Sequence, residues 1–417
     1  MKKPTLTIFF QFNPWRTSLG GVQTIIRSFI KYAPDSFNIR LVGTGNEQTP
    51  ARTGWQTLEL EGRSLEFLPI FDRPDDNHRR RMPTTVSYTA ALMKHNCIHR
   101  DCASDFMHFH RLEPAIASQK WQGEKTFFLH NDIQQHMSAK EGGDAILWQR
   151  FPAAYFALER QLFKQFEHIL SCNSASVDFY QAQYPTLSDR IRYIKNSFDS
   201  EVFYPISEQS RQVLRKELIQ ELQLPNDREF VLFAGRLHPQ KDPLLLLESF
   251  ARVQYPQAHL LMGGDGELMP EIRSTIAALG LESRVSLLGP LPQARLAALH
   301  RLSRVFVLSS AFEGLPLVAL EALASGTPLV TTRTGETPKM LQPNTGMVCT
   351  DRSAQTIASA IDRVLHNPAE FPREACVQSM QPYAAKAIVE STYEEMLMRW
   401  HRRITPSGDG ARRLTVA

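Results

Sequence analysis

Residues 312–330, FEGLPLVALEALASGTPLV, set a glutamate and a glycine ahead of a helix-forming run and then return to an apolar strand. Gly314 allows close backbone approach, Pro316 suits a first helical turn because its missing N–H costs nothing there, and Gly326 is a natural stop. The free N–H groups and dipole of such a helix start form an anion site, suited to a phosphate. Glu321 falls about two turns beyond the start, so Glu313 and Glu321 are spaced to grip different hydroxyl-bearing parts of one extended ligand. Taken alone, the stretch also describes an ordinary crossover helix with a solvent-facing glutamate.

Outward from this stretch, short apolar runs alternate with longer amphipathic segments, the βαβ pattern of parallel sheets covered by helices. In the second half EFVLFAGR, AHLLMGG, RVSLLGP, VFVLSS and TPLVTT read as strands, and DPLLLLESFARVQ, MPEIRSTIAALG, PQARLAALHRL and LPLVALEALASG as helices. In the first half, 5–12, 37–45, 106–110, 125–131, 168–174 and 191–197 read as strands, with helices over 22–33, 82–95 and 151–166. The fold class is α/β, with two successive Rossmann-like domains. A polar, proline-containing stretch at 196–210 sets the boundary, giving domains over 1–200 and 201–382. An amphipathic helix over 383–402 has no partner strand of its own, and 403–417 is a polar tail expected to fray.

Composition narrows the function classes. The 417 residues exceed one ordinary core, and 42% apolar with 22% charged residues exclude disorder, collagen and a coiled rod. No run approaches the roughly 18 apolar residues of a membrane span. The start, MKKPTLTIFFQFNPW, reads as a first strand in a cytoplasmic protein, and five cysteines fit a reducing compartment without disulfides. All of the net charge of +4 lies in residues 1–200, with 24 Lys+Arg against 20 Asp+Glu. That excess is too small for a nucleic-acid domain but suits an anionic substrate or an acidic lipid surface.

Two further motifs carry chemistry. FAGRLHPQKDPLLLL (233–247) puts Gly235, Arg236 and Lys241 on a loop beyond a strand, ahead of a helix beginning near Pro243. Ligands of open α/β sheets bind beyond the carboxyl ends of strands, so these two cations are placed to neutralise a diphosphate leaving group without a metal. LLMGGDGELMPEI (260–272) ends a strand in Gly263, Gly264 and Gly266, a tight turn with room for a ligand, although such a cluster also marks any sharp strand-to-helix turn.

In this order and spacing, GRLHPQKD, GGDGE and EGLPLVALEALASGTPLV resemble the C-terminal domain of retaining GT-B glycosyltransferases, in particular glycosyltransferase family 4. The resemblance is most specific over 230–345. It implies a GT-B fold of two facing Rossmann-like domains, the N-terminal one on the acceptor side, the C-terminal one holding a nucleotide-diphospho-sugar, and a last helix returning to the first domain. It also implies an enzyme, a metal-independent retaining hexosyltransferase with no cofactor, transferring to the hydroxyl of a saccharide or lipid-linked acceptor in polysaccharide or glycolipid assembly. Of the site residues, it assigns Glu313 to the donor sugar, Glu321 to the ribose hydroxyls, the backbone of Gly314 and Leu315 to sugar and phosphate, and Arg236 and Lys241 to the diphosphate. SLGGVQTII (18–26) is similar to the family's glycine-rich loop, where Gly20 and Gly21 meet the donor phosphate or the acceptor, with the role of Gln23 open. FFLHND (127–132) matches, through His130, the histidine near the reaction centre. HFHRLEPA (108–115) also resembles relatives, without a step assigned to His108 or His110. No Asp-x-Asp metal clamp is present. A nucleotide-sugar epimerase of the same fold, or a non-catalytic sugar-nucleotide or lipid-binding subunit, is the alternative.

HNCIHRDC (95–102) offers His95, Cys97, His99 and Cys102, but in no common zinc spacing, and no metal site is expected. Arg79, Arg80 and Arg81 are the one dense basic cluster, readable as a solvated loop or as a contact to anionic lipid headgroups that would place the protein peripherally at the inner membrane face.

Overall fold

The computed structural model describes residues 3–15, 20–46, 49–51, 54–72, 83–130 and 152–404. Two sheets organise them, each in a doubly wound α/β layer arrangement.

The first sheet has the order β3-β4-β2-β1-β5-β6-β7-β8. Its strands are β1 (Thr5–Phe9), β2 (Asn38–Gly45), β3 (Gln56–Leu60), β4 (Arg63–Asp72), β5 (Phe106–Phe109), β6 (Glu124–Leu129), β7 (His168–Ser171) and β8 (Ile191–Tyr193). All neighbours run parallel except β3 and β4. The hairpin of β3 and β4 departs from the purely parallel reading of the sequence. It turns on Glu61 and Gly62, both at positive φ (54° and 73°), the backbone that suits a two-residue turn between twisted strands. Leu58, Leu60, Leu65 and Phe67 alternate along it and are buried in the core. The helices of this half are α1 (Gly21–Lys31), α2 (Thr84–Ile98), α3 (Pro152–Phe163) and α4 (Ser174–Gln183).

The second sheet has the order β11-β10-β9-β12-β13-β14, all parallel. Its strands are β9 (Glu229–Ala234), β10 (Ala258–Gly263), β11 (Val285–Gly289), β12 (Val305–Leu308), β13 (Leu329–Thr331) and β14 (Gly346–Val348). The helices are α5 (Glu208–Glu221), α6 (Pro243–Phe250), α7 (Met269–Ala278), α8 (Gln293–Leu302), α9 (Leu317–Ala324), α10 (Thr337–Met340), α11 (Ala354–His366) and α12 (Arg373–Ser379). Residues 258–263, 305–308 and 329–331 are buried on both faces, as expected of strands covered by helices on each side. The strand order reverses between β9 and β12, the place in an open α/β sheet where ligands enter a crevice beyond the carboxyl ends of the strands.

The last helix, α13 (Ala385–Ile404), returns to the first half. Ala385, Val389, Tyr393, Met396 and Trp400 join the core of β1, β2 and α1, and the Tyr393 hydroxyl donates to the Phe29 carbonyl at 2.8 Å. Arg399 and Arg403 pair with Glu124 of β6 at 2.9 and 2.6 Å. Burial alone would raise the Glu124 carboxyl, but hydrogen bonds from His168 and Arg399 outweigh it and hold it at about 2.

The chain therefore crosses between the domains twice, and the crossings lie side by side. Phe198 N–H donates to the Tyr383 carbonyl at 3.1 Å, and Ala385 N–H to the Phe198 carbonyl at 2.9 Å. Just beyond, Asp199 takes the Lys31 ammonium at 2.7 Å and the Tyr32 hydroxyl at 2.8 Å, which pins the outgoing crossing to the end of α1.

Candidate functional site

The crevice after β9 and β12 collects the residues that the sequence singled out. Beyond β9 the chain passes Gly235 and the exposed Arg236, turns through His238 to Lys241, and starts α6 with Asp242 as its cap. Asp242 sits at φ 45°, a left-handed position tolerated by an Asp that caps, and its carboxylate accepts from Leu245 N–H at 3.1 Å. Beyond β12, Ser309 donates to the Lys241 and Asp242 carbonyls at 2.9 and 2.8 Å, tying the two loops together. The Ala311 N–H donates to the Gln240 carbonyl at 2.8 Å, and the Gln240 amide to the Phe312 carbonyl at 3.2 Å.

At the centre, the Lys241 ammonium donates to Glu313 Oε1 at 2.5 Å and the Ser310 hydroxyl donates to the same oxygen at 2.6 Å. Glu313 is buried, Lys241 partly so. The pair sits one residue ahead of Gly314, Leu315 and Pro316, with Pro316 the cap residue of α9.

Glu321 occupies the second turn of α9 and is not a solvent-facing crossover residue. It is 4% exposed and its Oε2 has no hydrogen-bond partner. Burial pushes its carboxyl up to about 8. Protonation relieves the buried charge in the unliganded protein, and the unpartnered oxygen is left able to bond a ligand hydroxyl.

The glycines of 263–266 serve a different purpose from the sequence reading of open room. A side chain at Gly264, at φ 135°, would lie 1.9 Å from the Gly235 carbonyl oxygen, and one at Gly266 would lie 2.3 Å from that of Leu237. These positions let the loop after β10 lie against the loop after β9, bonded through Gly235 N–H to Gly263 O at 3.0 Å and Leu237 N–H to Asp265 O at 2.9 Å. They set the height of Arg236 and Lys241 in the crevice.

The first domain faces this cluster. Gly21, at the start of α1, lies against Leu317 of α9, its would-be Cβ 3.7 Å from Leu317 Cδ1. Gln23, whose role the sequence left open, caps α1, taking the Gly20 N–H on Oε1 at 2.5 Å. The His130 carbonyl, just past β6, approaches Gly314, 3.2 Å from where a side chain would begin. His130 lines a cavity with Cys172, Lys195 and Asn196, walled on its other sides by Ile25, Phe29, Phe128 and Val389. Its Nε2 bonds His110 Nδ1 at 2.8 Å with the two rings stacked at 5.1 Å. Burial, with Arg111 adding to it, lowers His130 to about 3, and burial drives His110 well below its ordinary value. Both are neutral near pH 7, so His130 serves as a hydrogen-bonding group and not as a cation.

Sequence reasoning missed the ties that hold the domains together around the 313–316 loop. The Asn196 amide donates to the Leu315 carbonyl at 2.6 Å. Ser174, first residue of α4, gives both its N–H and its hydroxyl to Glu336 Oε1 at 2.9 Å, and the Glu336 N–H donates to the Gly314 carbonyl at 2.9 Å. The only local signal was the Asn173-Ser174 cap at a strand-to-helix step, where Asn173 takes the Ser176 N–H.

Of the paper zinc ligands, His95 meets Asp101 at 2.8 Å with Cys102 beside them, while the His99 ring lies tilted against that of His95, centroids 4.5 Å apart, and Cys97 is exposed. Trp55 completes the Asp101 carboxylate at 2.9 Å. Arg79, Arg80 and Arg81 lie outside the described residues, as does 405–417. No helix among the described residues is long and apolar enough to cross a membrane.

The chain matches the glycosyl transferases group 1 family over residues 215–381. It is 30% identical over 186 residues to D-inositol 3-phosphate glycosyltransferase of Corynebacterium glutamicum (strain R), covering 42% of this chain and 44% of that protein. Such matches span about two fifths of the length of the first curated relatives. Among solved structures, sucrose-phosphate synthase from Thermosynechococcus elongatus superposes with a TM-score of 0.79 at 18% identity, covering 97% of this chain and all of that one. Anabaena Alr3699/HepE, solved in complex with UDP-glucose, superposes with a TM-score of 0.69 at 18% identity over 95% of this chain and 100% of that one. With two α/β domains and superposition over nearly the whole chain, the fold is GT-B, and within it residues 215–381 match the glycosyl transferases group 1 family.

Proposed function

We propose that the chain is a retaining, metal-independent hexosyltransferase that moves a sugar from a nucleotide-diphospho-sugar to a hydroxyl of a saccharide or lipid-linked saccharide. The observation that carries the reading is the Lys241–Glu313 cluster just ahead of α9 together with the buried, unpartnered carboxyl oxygen of Glu321 on the second turn of the same helix. A cation beside a helix start suits a diphosphate, and a lone buried acceptor suits a ribose hydroxyl. One extended ligand satisfies both.

In the proposed reaction the bond between the anomeric carbon and the phosphate oxygen lengthens as the acceptor oxygen approaches from the same face. The acceptor's proton passes to the departing phosphate oxygen, so the products are the glycoside and the nucleoside diphosphate. Negative charge grows on that diphosphate, and Lys241 and Arg236 oppose it with charge fixed in advance, which is the kind of interaction that lowers a barrier. Glu313 holds the donor sugar, and the neutral His130 contributes a hydrogen bond at the cleft. Peripheral attachment at the inner membrane face, in polysaccharide or glycolipid assembly, rests on the charge excess of residues 1–200 and on Arg79, Arg80 and Arg81.

Calorimetric titration with uridine, guanosine and adenosine diphospho-sugars, followed by slow donor hydrolysis in excess EDTA, tests the reading. Binding with release of free sugar and no metal requirement is expected. Binding of none of these donors overturns it, and interconversion of two nucleotide sugars without release would show an epimerase.

A further inference from the structure

Glu313 is held by two donors that converge on one of its oxygens. Lys241 Nζ and Ser310 Oγ both reach Oε1, at 2.5 and 2.6 Å, and among the described residues neither donates to Oε2. Both bonds end on Oε1, so the carboxylate is held through that oxygen and Oε2 stays free of both donors, available to a ligand hydroxyl. The two anchors differ in what happens when a donor arrives. Lys241 is a flexible ammonium that a diphosphate recruits, since two phosphate charges outcompete one shared carboxylate. Ser310 cannot leave. It is fully buried, its carbonyl accepts from the Thr332 hydroxyl at 2.7 Å, and its neighbour Ser309 is bonded to the Lys241 and Asp242 carbonyls.

We infer that Ser310 is a positioning residue that keeps Glu313 aimed at the donor sugar once the diphosphate has drawn Lys241 away. The inference rests on the functional reading above, because it needs a sugar hydroxyl opposite Glu313 Oε2. It separates two parts of donor recognition that Lys241 alone would couple. The nucleoside diphosphate is gripped by Lys241 whether or not Ser310 has its hydroxyl, and the sugar is gripped by Glu313 only when it does.

The test compares wild type, Ser310→Ala and Ser310→Thr with three probe pairs, UDP and UDP-glucose, GDP and GDP-mannose, ADP and ADP-glucose. For the pair that the wild type binds, Ser310→Ala leaves affinity for the nucleoside diphosphate within about twofold, weakens the nucleotide sugar about tenfold, and lowers turnover by a similar factor or more, as expected for losing a hydrogen bond to a charged group. Ser310→Thr, which keeps the hydroxyl, restores both. Equal weakening of diphosphate and nucleotide sugar, or no weakening of either, overturns the inference while leaving the functional reading intact. A ligand-free arm guards against a folding defect. In a double-mutant cycle of Ser310→Ala with Glu313→Gln, urea unfolding should show coupling of about tenfold in the unfolding constant. Additive effects would show that Ser310 does not hold Glu313, whatever the donor results. If the wild type binds none of the six probes, the functional reading fails and this role fails with it.

Discussion

Replacing Glu321 with glutamine should make the ligand-free protein more stable and the nucleotide-bound protein weaker, and the first effect should depend on pH in a calculable way. The carboxyl lies at about 8 in the fold against an ordinary 4.5, and the cause is burial without a partner. A folded-state value above the unfolded one means the protonated form is favoured by folding. Wild-type stability is therefore full at low pH and drains away as pH rises from the unfolded value through the folded one. Each unit is worth about 1.4 kcal/mol, so the stability of Glu321→Gln relative to wild type should grow by about 2.5 kcal/mol between roughly pH 5.5 and 7.5 and level off near pH 9. Glutamine does not titrate, so the difference between the two proteins removes every other titrating group. Urea unfolding of both at half-unit steps of pH gives the curve directly. Parallel stability curves over that range would refute the burial of a titrating carboxylate at this position. The nucleotide arm runs the other way: UDP, or whichever diphosphate binds, should lose roughly tenfold or more in affinity for the variant, and a 2′,3′-dideoxy nucleotide should distinguish the two proteins far less.

Lys241→Ala should lower turnover about 100-fold, a loss of roughly 2.7 kcal/mol of transition-state stabilisation, and an unchanged rate would sink the assignment of the diphosphate to this loop. Gly264→Ala should cost roughly 3 kcal/mol of stability, because a β-carbon at φ 135° meets the Gly235 carbonyl, and a melting temperature equal to wild type would show that the loop has room to shift. Glu336→Ala removes the acceptor for both Ser174 donors and should increase the radius of gyration measured by small-angle scattering. An unchanged radius would mean that Asn196 and the remaining contacts suffice to keep the domains together.

The second sheet was legible because its strands are short apolar runs bounded by glycine or proline, and because the residues between them keep helical spacing. The hairpin of β3 and β4 was missed although its signal lay in QTLELEGRSLEF, where apolar residues alternate on either side of a Glu-Gly turn. A βαβ rhythm expects a helix after β2, and that expectation hid a period of two. β14 is three residues long and carries too little pattern to be seen. In the candidate site, Lys241 and Glu313, singled out by their offsets from a strand and a helix end, come together in the structure, and their roles stay part of the proposal. The burial of Glu321 had a trace in its neighbours, LVALEALAS, where a lone charge stands among apolar residues on both sides. For the partners Ser174 with Glu336 and Asn196 with Leu315 the Asn173-Ser174 cap marked a helix start but nothing local named the partner, since they lie 162 and 119 residues apart and meet only because the two domains face each other. His110 ended a strand read at 106–110 with no role assigned, and only the packing of β5 beside β6 shows that its partner is His130.

The return of α13 has a consequence for how the protein is made. Domain one is started first by the ribosome and finished last, since Val389, Tyr393, Met396 and Trp400 complete a core whose walls in β1, β2 and α1 were synthesised more than 300 residues earlier. The second domain, with every strand and covering helix inside residues 208–379, has its whole core available before that helix emerges. During synthesis the early domain must therefore wait with an open apolar face over β1, β2 and α1, while the later one can close on its own. Loss of the last helix would strike the end of the molecule farthest from it in sequence, and the aggregation expected of such a truncated chain would come from the N-terminal half.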